Sequence, residues 1–572
     1  MMQALSKHIP ALGWLGTYKR EYFKGDLSAG LIVAVMLIPQ GMAYALLAGI
    51  DPIYGLYAVT LPLFIYALFG SSRHLAVGPV AMVSLLVFTG VSALAEPGTP
   101  EYFSYVLLLT LMIGMIQLAM GLMRMGFLVN FLSHAVISGF TSAAAIVIGL
   151  SQLKHLLGVN LATPDYTHQL LVEAFSRLNE VNGISLAIGL GSIALMVAVK
   201  RWKLIPIPGS MLVVVFSILA VYGLGLADRG VKIVGHVPSG LPGFSLPSIS
   251  LESFQLLLPM ALMISFIAYM ESIAVAKAIA KKEKYKIESN QELKGLGLAN
   301  LVAAFFSSMP VTGGFSRTAV NYQSGAKTGL ASMISAALIV VTLLFLTPLF
   351  YYLPTAVLAA IIMVAVASLI DIKEFKHLLH IKKTDGLLLA VTFLLTLFVG
   401  IETGIFAGMG LSLGLFIWRS AYPHSAELGY LAKEGVYRNV QRFPEAKTFE
   451  GVLILRVDES LYFANMAFLE DKIESLLNNK PEVKKVILEM SGVNDMDAVA
   501  VEQMESFIRD YEKQGIEFHF AAMKGPVRDL VARAHWPEKF GSKVQHMSLD
   551  RALNSIYRED KSSNAVKEGA PA

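Results

Sequence analysis

The chain has 572 residues, of which 55% are apolar and only 15% charged, and its mean hydropathy is +0.60. A soluble domain carries roughly 25% charged residues, so the composition excludes a soluble globular protein and points to an α-helical membrane protein with many spans. The formal net charge of +4 discriminates little, whereas the absence of cysteine excludes disulfides, iron–sulfur clusters, thiolate metal sites and thiol redox switching.

Residues 1–26 lack the apolar core and small-residue cleavage site of a signal peptide. They are expected to form a cytosolic N-terminal segment ahead of an uncleaved first span. Residues 27–420 read as the membrane-embedded domain. A spanning helix needs about 20 apolar residues. Runs of that kind begin near Leu27, Ile53, Val106, Leu132, Gly183, Gly209, Phe254, Thr328, Pro354, Gly386 and Thr403. Shorter, polar-interrupted stretches at 75–94, 291–308 and 312–326 bring the expected total to fourteen. Alternate loops are basic: "YKREYFK", "SSRH", Arg124, "KRWK", "KKEKYK", Lys327 and "DIKEFKHLLHIKK". The positive-inside rule places these in the cytosol, with both termini on that side of a cell (inner) membrane.

Two stretches depart from ordinary spans. "SSRHLAVGPVAMVSLL" places Gly78-Pro79 before an apolar run too short to cross alone, and "SSMPVTGGFSRTAVN" places Pro310 and Gly313-Gly314 before another. Each reads as extended backbone followed by a half-helix. Irregular backbone survives at membrane depth only where it is buried or lines a cavity. A half-helix N-terminus offers free N–H groups and partial positive charge to an anion, and paired interruptions in two halves point to a transporter site. "PQGMAYALLA" at 39–48 aligns with "MESIAVAKAI" at 270–279, so that Gln40 matches Glu271 and Ala43 matches Ala274. With the two interruptions, this supports an inverted repeat of seven spans plus seven.

Arg317 is a charge inside membrane-like sequence, and such charges mark pathways. Beside the half-helix that starts at Phe315, itself a candidate to line the site, its planar fork suits a tetrahedral oxyanion. The plain alternatives are a snorkelling arginine or one neutralised by Glu271. Ser316 either lines the site or caps the helix. Glu271 is a candidate proton carrier, against a static ion pair with Arg317 or a nearby lysine. Gln40 and Tyr44, four residues apart, share a helix face and either line the site or pack between helices. The backbone at Pro79, Val80 and Ala81 is expected to expose N–H groups at the first half-helix. Asn290-Gln291-Glu292 reads as helix capping and edge anchoring rather than a gate. "GMGLSLG" at 408–414 reads as close helix packing rather than phosphate binding. The twelve histidines show no metal-ligand spacing, and no cofactor, nucleic-acid partner or catalytic constellation is expected.

After a linker at 421–447, charge density rises and the pattern changes to strand and helix. "GVLILRV", "KKVILEM" and "IEFHFAAM" read as strands; "AVAVEQMESFIRDYEKQ" and "GPVRDLVARA" read as helices. Residues 448–558 are expected to form one small α/β domain, and 559–572 a disordered tail.

The strings "PQGMAYALLAGIDPIYGLY", "GSSRHLAVGPVAMVSLL", "ESIAVAKAIA" and "SNQELKGLGLANLVAAFFSSMPVTGGFSRTAVNYQSGAKT", together with the tail, resemble the SulP family of sulfate permeases. The resemblance implies fourteen spans in a seven-plus-seven inverted repeat, core and gate domains, an elevator-like motion, a homodimer and a cytosolic STAS domain. It also implies an anion-site arginine at Arg317 supported by Ser316, site-lining roles for Gln40 and Tyr44, and a coupling role for Glu271. STAS relatives carry a phosphorylatable serine in a turn that here reads "DAVA", Asp497 to Ala500. The missing hydroxyl argues against a phosphoswitch and leaves folding, dimer contact or a cytosolic partner. Asp495 and Asp497 suit a capped strand–helix turn better than a metal. The reading is proton-coupled sulfate import. Its rivals are a sodium- or proton-coupled bicarbonate or dicarboxylate transporter, an uncoupled exchanger or channel, and a membrane-anchored scaffold.

Overall fold

The computed structural model describes residues 9–127, 133–159, 167–202, 208–247 and 250–567. The chain divides between Ser412 and Leu413 into two compact units.

The first unit opens with α1 (Tyr22–Leu47), a long apolar helix that contains Pro39. A Cβ on Gly55 would stand 1.9 Å from the carbonyl oxygen of Gly41, so α1 and the following short helix meet backbone to backbone, as small residues permit between membrane helices. After α2 (Leu61–Phe69) the helical path stops at Gly70. The chain runs through a two-residue strand, β1 (Val77–Gly78), and restarts as α3 (Ala81–Ser92), which has only 12 residues. The first half closes with α4 (Pro100–Leu122), α5 (His134–Ser151), α6 (Gly183–Trp202) and α7 (Gly209–Gly223).

The second half repeats the order of helix, helix, strand and short helix. It runs α8 (Leu251–Lys282), α9 (Ser289–Phe305), β2 (Thr312–Gly313) and α10 (Phe315–Gln323), the last of 9 residues. Then follow α11 (Leu330–Val341), α12 (Thr355–Ala367), α13 (Ile372–Ile381), α14 (Lys383–Phe398) and α15 (Ile401–Ala421). Among the described residues, 9 helical stretches are long and apolar enough to cross a membrane, while α3 and α7 are apolar but shorter. Length alone therefore does not recover the fourteen spans expected from sequence.

β1 and β2 pair antiparallel, Val77 opposite Gly313 and Gly78 opposite Thr312, so the two broken stretches meet. Backbone polar groups without a helix need partners in an apolar interior, and buried side chains supply them. Asn300 accepts from the Val311 amide at 2.8 Å and donates to its carbonyl at 3.0 Å. Ser272 accepts from the Gly313 amide at 2.8 Å, and Thr312 donates to the Ala268 carbonyl at 2.7 Å.

The second unit carries a five-stranded sheet. Its strands are β3 (Ser425–Leu431), β4 (Val436–Asn439), β5 (Val452–Val457), β6 (Lys485–Glu489) and β7 (Glu517–Ala521), in spatial order β4-β3-β5-β6-β7. β5, β6 and β7 are parallel, and β3 is antiparallel to both its neighbours. Parallel strands are stable when both faces are covered. α16 (Met466–Asn478), α17 (Ala498–Lys513) and α18 (Gly525–Arg533) bury one face. The other packs on Leu549, Ala552, Leu553 and Ile556 of α19 (Leu549–Lys567).

Two sequence expectations are corrected here. The expected linker 421–447 supplies β3 and β4, because Ala426 and Leu428 alternate inward against the sheet core; this short period is masked by the polar residues between them. The expected disordered tail begins inside α19, since no glycine or proline interrupts the chain from Leu549 until Gly569; residues 568–572 lie outside the described residues. Asp497 caps α17 by accepting from the Ala500 amide at 2.7 Å, the turn role that its sequence suggested.

Candidate functional site

α10 begins immediately after the extended residue Gly314, which puts Arg317 in its first turn. The first four N–H groups of a helix have no partner within it, and the guanidinium stands among them. Arg317 is only 2% exposed. Its Nη1 donates to the carbonyl of Pro79 at 2.5 Å, while Nε and Nη2 are buried without a partner. Gly314 makes room for this fork, because a Cβ there would lie 2.8 Å from Nη2. A buried unpaired cation is costly, so these groups favour an acceptor beside them.

That acceptor has a place to bind. A cavity of about 360 Å³ is lined by Gln40 and Tyr44 of α1, Val80 and Ala81 at the start of α3, Glu271 of α8, and Phe315, Ser316 and Arg317 of α10. Of the nine expected site residues, eight therefore border one volume. The ninth, Pro79, has no N–H to offer; contrary to expectation, it contributes the carbonyl that orients Arg317. Ser316 is not the helix cap, since Gly314 holds that position.

Gln40 Oε1 and Glu271 Oε2 are buried without partners, and no ion pair joins Glu271 to Arg317 or to a lysine among the described residues. Glu271 and Arg317 interact by Coulombic attraction without a contact ion pair. Glu271 also lines a second, mainly apolar cavity of about 410 Å³, which shares Met82, Phe315 and Leu369 with the first. The Glu271 carboxylate thus stands in the wall between two cavities.

Sequence reading missed three contributors. Lys200, at the end of α6, lines the first cavity with Gln323 and Ser368; its run "KRWK" reads only as a basic loop. Glu292, expected at a helix edge, is fully buried. It accepts from the Tyr66 hydroxyl at 2.6 Å and from the Ser71 and Ser72 amides at 2.6 and 2.9 Å. Asp26, also fully buried, accepts from the Lys327 and Thr328 amides at 2.7 and 3.0 Å. Each carboxylate clamps irregular chain flanking a half-helix, and nothing in its local sequence distinguishes it from a surface acid.

A helical membrane fold with two paired broken stretches, a buried half-free arginine and an appended α/β domain defines a class of transporter. Residues 23–392 match the sulfate permease family and residues 443–552 the STAS domain; the chain belongs to the sulfate permease family. It is 39% identical to sulfate transporter 4.1, chloroplastic, of Arabidopsis thaliana over 97% of this chain and 83% of that one. It is 35% identical to high affinity sulfate transporter 2 of Stylosanthes hamata over 92% of this chain and 82% of that one. Among solved structures, it matches a murine solute carrier 26 anion transporter in the inward-facing state with a TM-score of 0.91 and 26% identity, covering 98% of this chain and 95% of the other. The transmembrane domain of a cyanobacterial bicarbonate transporter shares the fold, with a TM-score of 0.61 and 23% identity over 69% of this chain and 99% of that one.

Proposed function

We propose that the protein is a secondary active transporter that carries sulfate into the cell together with protons. The observation that carries this reading is the pair of buried, unpartnered Arg317 N–H groups facing a cavity bordered by two half-helix N-termini. A sulfate there completes the guanidinium fork, with Gln40, Tyr44 and Ser316 offering further hydrogen bonds. The sulfate transporters to which the chain is similar support this choice of anion.

Coupling follows from charge. Bringing a dianion into a compartment at −100 mV costs about 4.6 kcal/mol, and each accompanying proton returns about half of that. Glu271 is the proposed carrier, because it shares the cavity with Arg317 without being tied to it. The proposed cycle moves the two half-helices with their anion as one body, in an elevator-like step. The proposed setting is a homodimer of fourteen-span subunits in a cell membrane, with both termini and the STAS domain in the cytosol.

The test is labelled sulfate uptake into proteoliposomes, with and without an inward proton gradient, beside Arg317→Ala. Gradient-driven uptake that Arg317→Ala abolishes supports substrate and site together. A folded parent protein that takes up no sulfate under either condition overturns the substrate, and bicarbonate and dicarboxylates are then tried in its place.

A further inference from the structure

His74 is a buried histidine that the transport reading does not use. It lies three residues before β1, in the stretch that leads to Pro79. Its carbonyl accepts from Asn321 Nδ2 of α10 at 2.8 Å. Its imidazole Nε2 lies 3.1 Å from the carbonyl of Ala326, just beyond the end of α10, and its Nδ1 lies 3.0 Å from the hydroxyl of Tyr285. A carbonyl can only accept, so Nε2 carries a proton, and in the neutral ring Nδ1 then accepts from Tyr285. In that tautomer both ring nitrogens are satisfied without a charge.

The neighbouring bonds give this histidine its leverage. Residues 74–79 run along α10 and hold it at several points: Pro79 at the Arg317 guanidinium, Ala76 at the Thr318 hydroxyl, and His74 at Asn321 and Ala326. The near end of α10 is fixed by the β1–β2 pairing; the far end is held by His74, beside a hydrogen bond between Tyr322 and Glu283. On its other side, the Tyr285 hydroxyl lies 3.4 Å from Ser72 Oγ, and the Ser72 amide is held by Glu292. The Lys327 amide, next to Ala326, is held by Asp26. The imidazole is thus the link between two carboxylate clamps, one on each broken stretch.

We propose that His74 is a positioning residue of the anion site: by bridging Tyr285 and the Ala326 carbonyl it fixes the far end of α10 against residues 74–79, and so sets where the Arg317 guanidinium stands. The proposal rests on the transport reading for its effect on sulfate, but its structural half is measurable without any substrate.

The test uses the full-length protein as the parent and as His74→Ala, His74→Gln and Tyr285→Phe. A glutamine amide presents a donor and an acceptor at about the spacing of the two ring nitrogens, so it can restore the bridge. Backbone hydrogen exchange across 76–81 and 312–320 reports the anchoring, and proteoliposome uptake reports KM and kcat. His74→Ala and Tyr285→Phe are expected to speed exchange in those stretches about tenfold and to raise the sulfate KM about fivefold, with kcat nearly unchanged. His74→Gln is expected to stay near the parent on both readouts. Unchanged exchange in both His74→Ala and Tyr285→Phe overturns the proposal. Equal impairment in His74→Ala and His74→Gln also overturns it, because the ring then fills space rather than bridging. If His74→Ala does not fold, Tyr285→Phe, which removes one oxygen, decides by the same exchange measurement. A parent that takes up no sulfate overturns the sulfate assignment alone, and hydrogen exchange still decides the role of His74.

Discussion

The two broken stretches share a backbone plan and differ in chemistry. Each runs from a helix into a two-residue strand and then into a short helix, and the strands pair with one another. At the start of α3 the contributors are backbone and small or apolar side chains: the Pro79 carbonyl, Val80 and Ala81. At the start of α10 they are Phe315, Ser316 and the cation Arg317. The repeat thus builds a symmetric cradle, while one half supplies the charge and the other supplies the carbonyl that aims it, at 2.5 Å. The buried cation of the two half-helix starts thus comes from one half alone.

The sharpest way to remove the difference between the halves is Arg317→Ala. Losing the only buried cation of the two half-helix starts is expected to lower sulfate uptake by on the order of 100-fold or more, read as initial rate in proteoliposomes. Arg317→Lys separates charge from shape, since a lysine keeps the charge and loses the fork; activity equal to the parent would contradict bidentate binding. Glu271→Gln leaves the cavity's shape intact and removes the titrating group. Uptake is expected to persist down a sulfate gradient and to lose its dependence on the proton gradient. If the dependence survives, Glu271 is not the carrier.

Smaller effects refine the picture. Gly314→Ala places a methyl 2.8 Å from Arg317 Nη2 and is expected to raise the sulfate KM roughly tenfold by displacing the fork. Lys200→Gln removes a charge that lines the same cavity at the end of α6. A two- to threefold loss of kcat/KM is expected, largest at low ionic strength and vanishing in high salt. Asp497→Ala, in the other unit, should cost about 1 kcal/mol of stability through the lost α17 cap, seen as a lowered Tm with transport unchanged.

Much of the site was legible in the sequence because membrane chains penalise irregularity. Gly78-Pro79 and Pro310 with Gly313-Gly314 stand out as interruptions, and Arg317 and Glu271 as charges where lipid-facing sequence has none. These signals are local, so they survive without coordinates. Lys200 was not legible, because a basic residue at a helix end is ordinary at a membrane surface. Glu292 was not legible either: an acid in the first turn of a helix reads as a cap, and its burial depends on Tyr66, Ser71 and Ser72, which lie more than 200 positions away in the chain. In the α/β domain β5 and β6 were legible as near-continuous apolar runs, and β7 through Phe518 and Phe520 alternating with polar residues. β3 and β4 were not legible, because their apolar residues are few and interspersed with polar ones.

By itself the sequence determined the class of protein, the two halves, the places where the helices break and the identity of the unusual charges. Composition and hydropathy report what each residue requires of its immediate surroundings. The tertiary structure alone decided that β1 pairs with β2, that Pro79 gives its carbonyl to an arginine 238 positions away, and that His74, Glu292 and Asp26 join the two broken stretches. Those contacts satisfy buried polar groups across the fold, and a buried donor or acceptor can be assigned its partner only once packing has brought distant chain together.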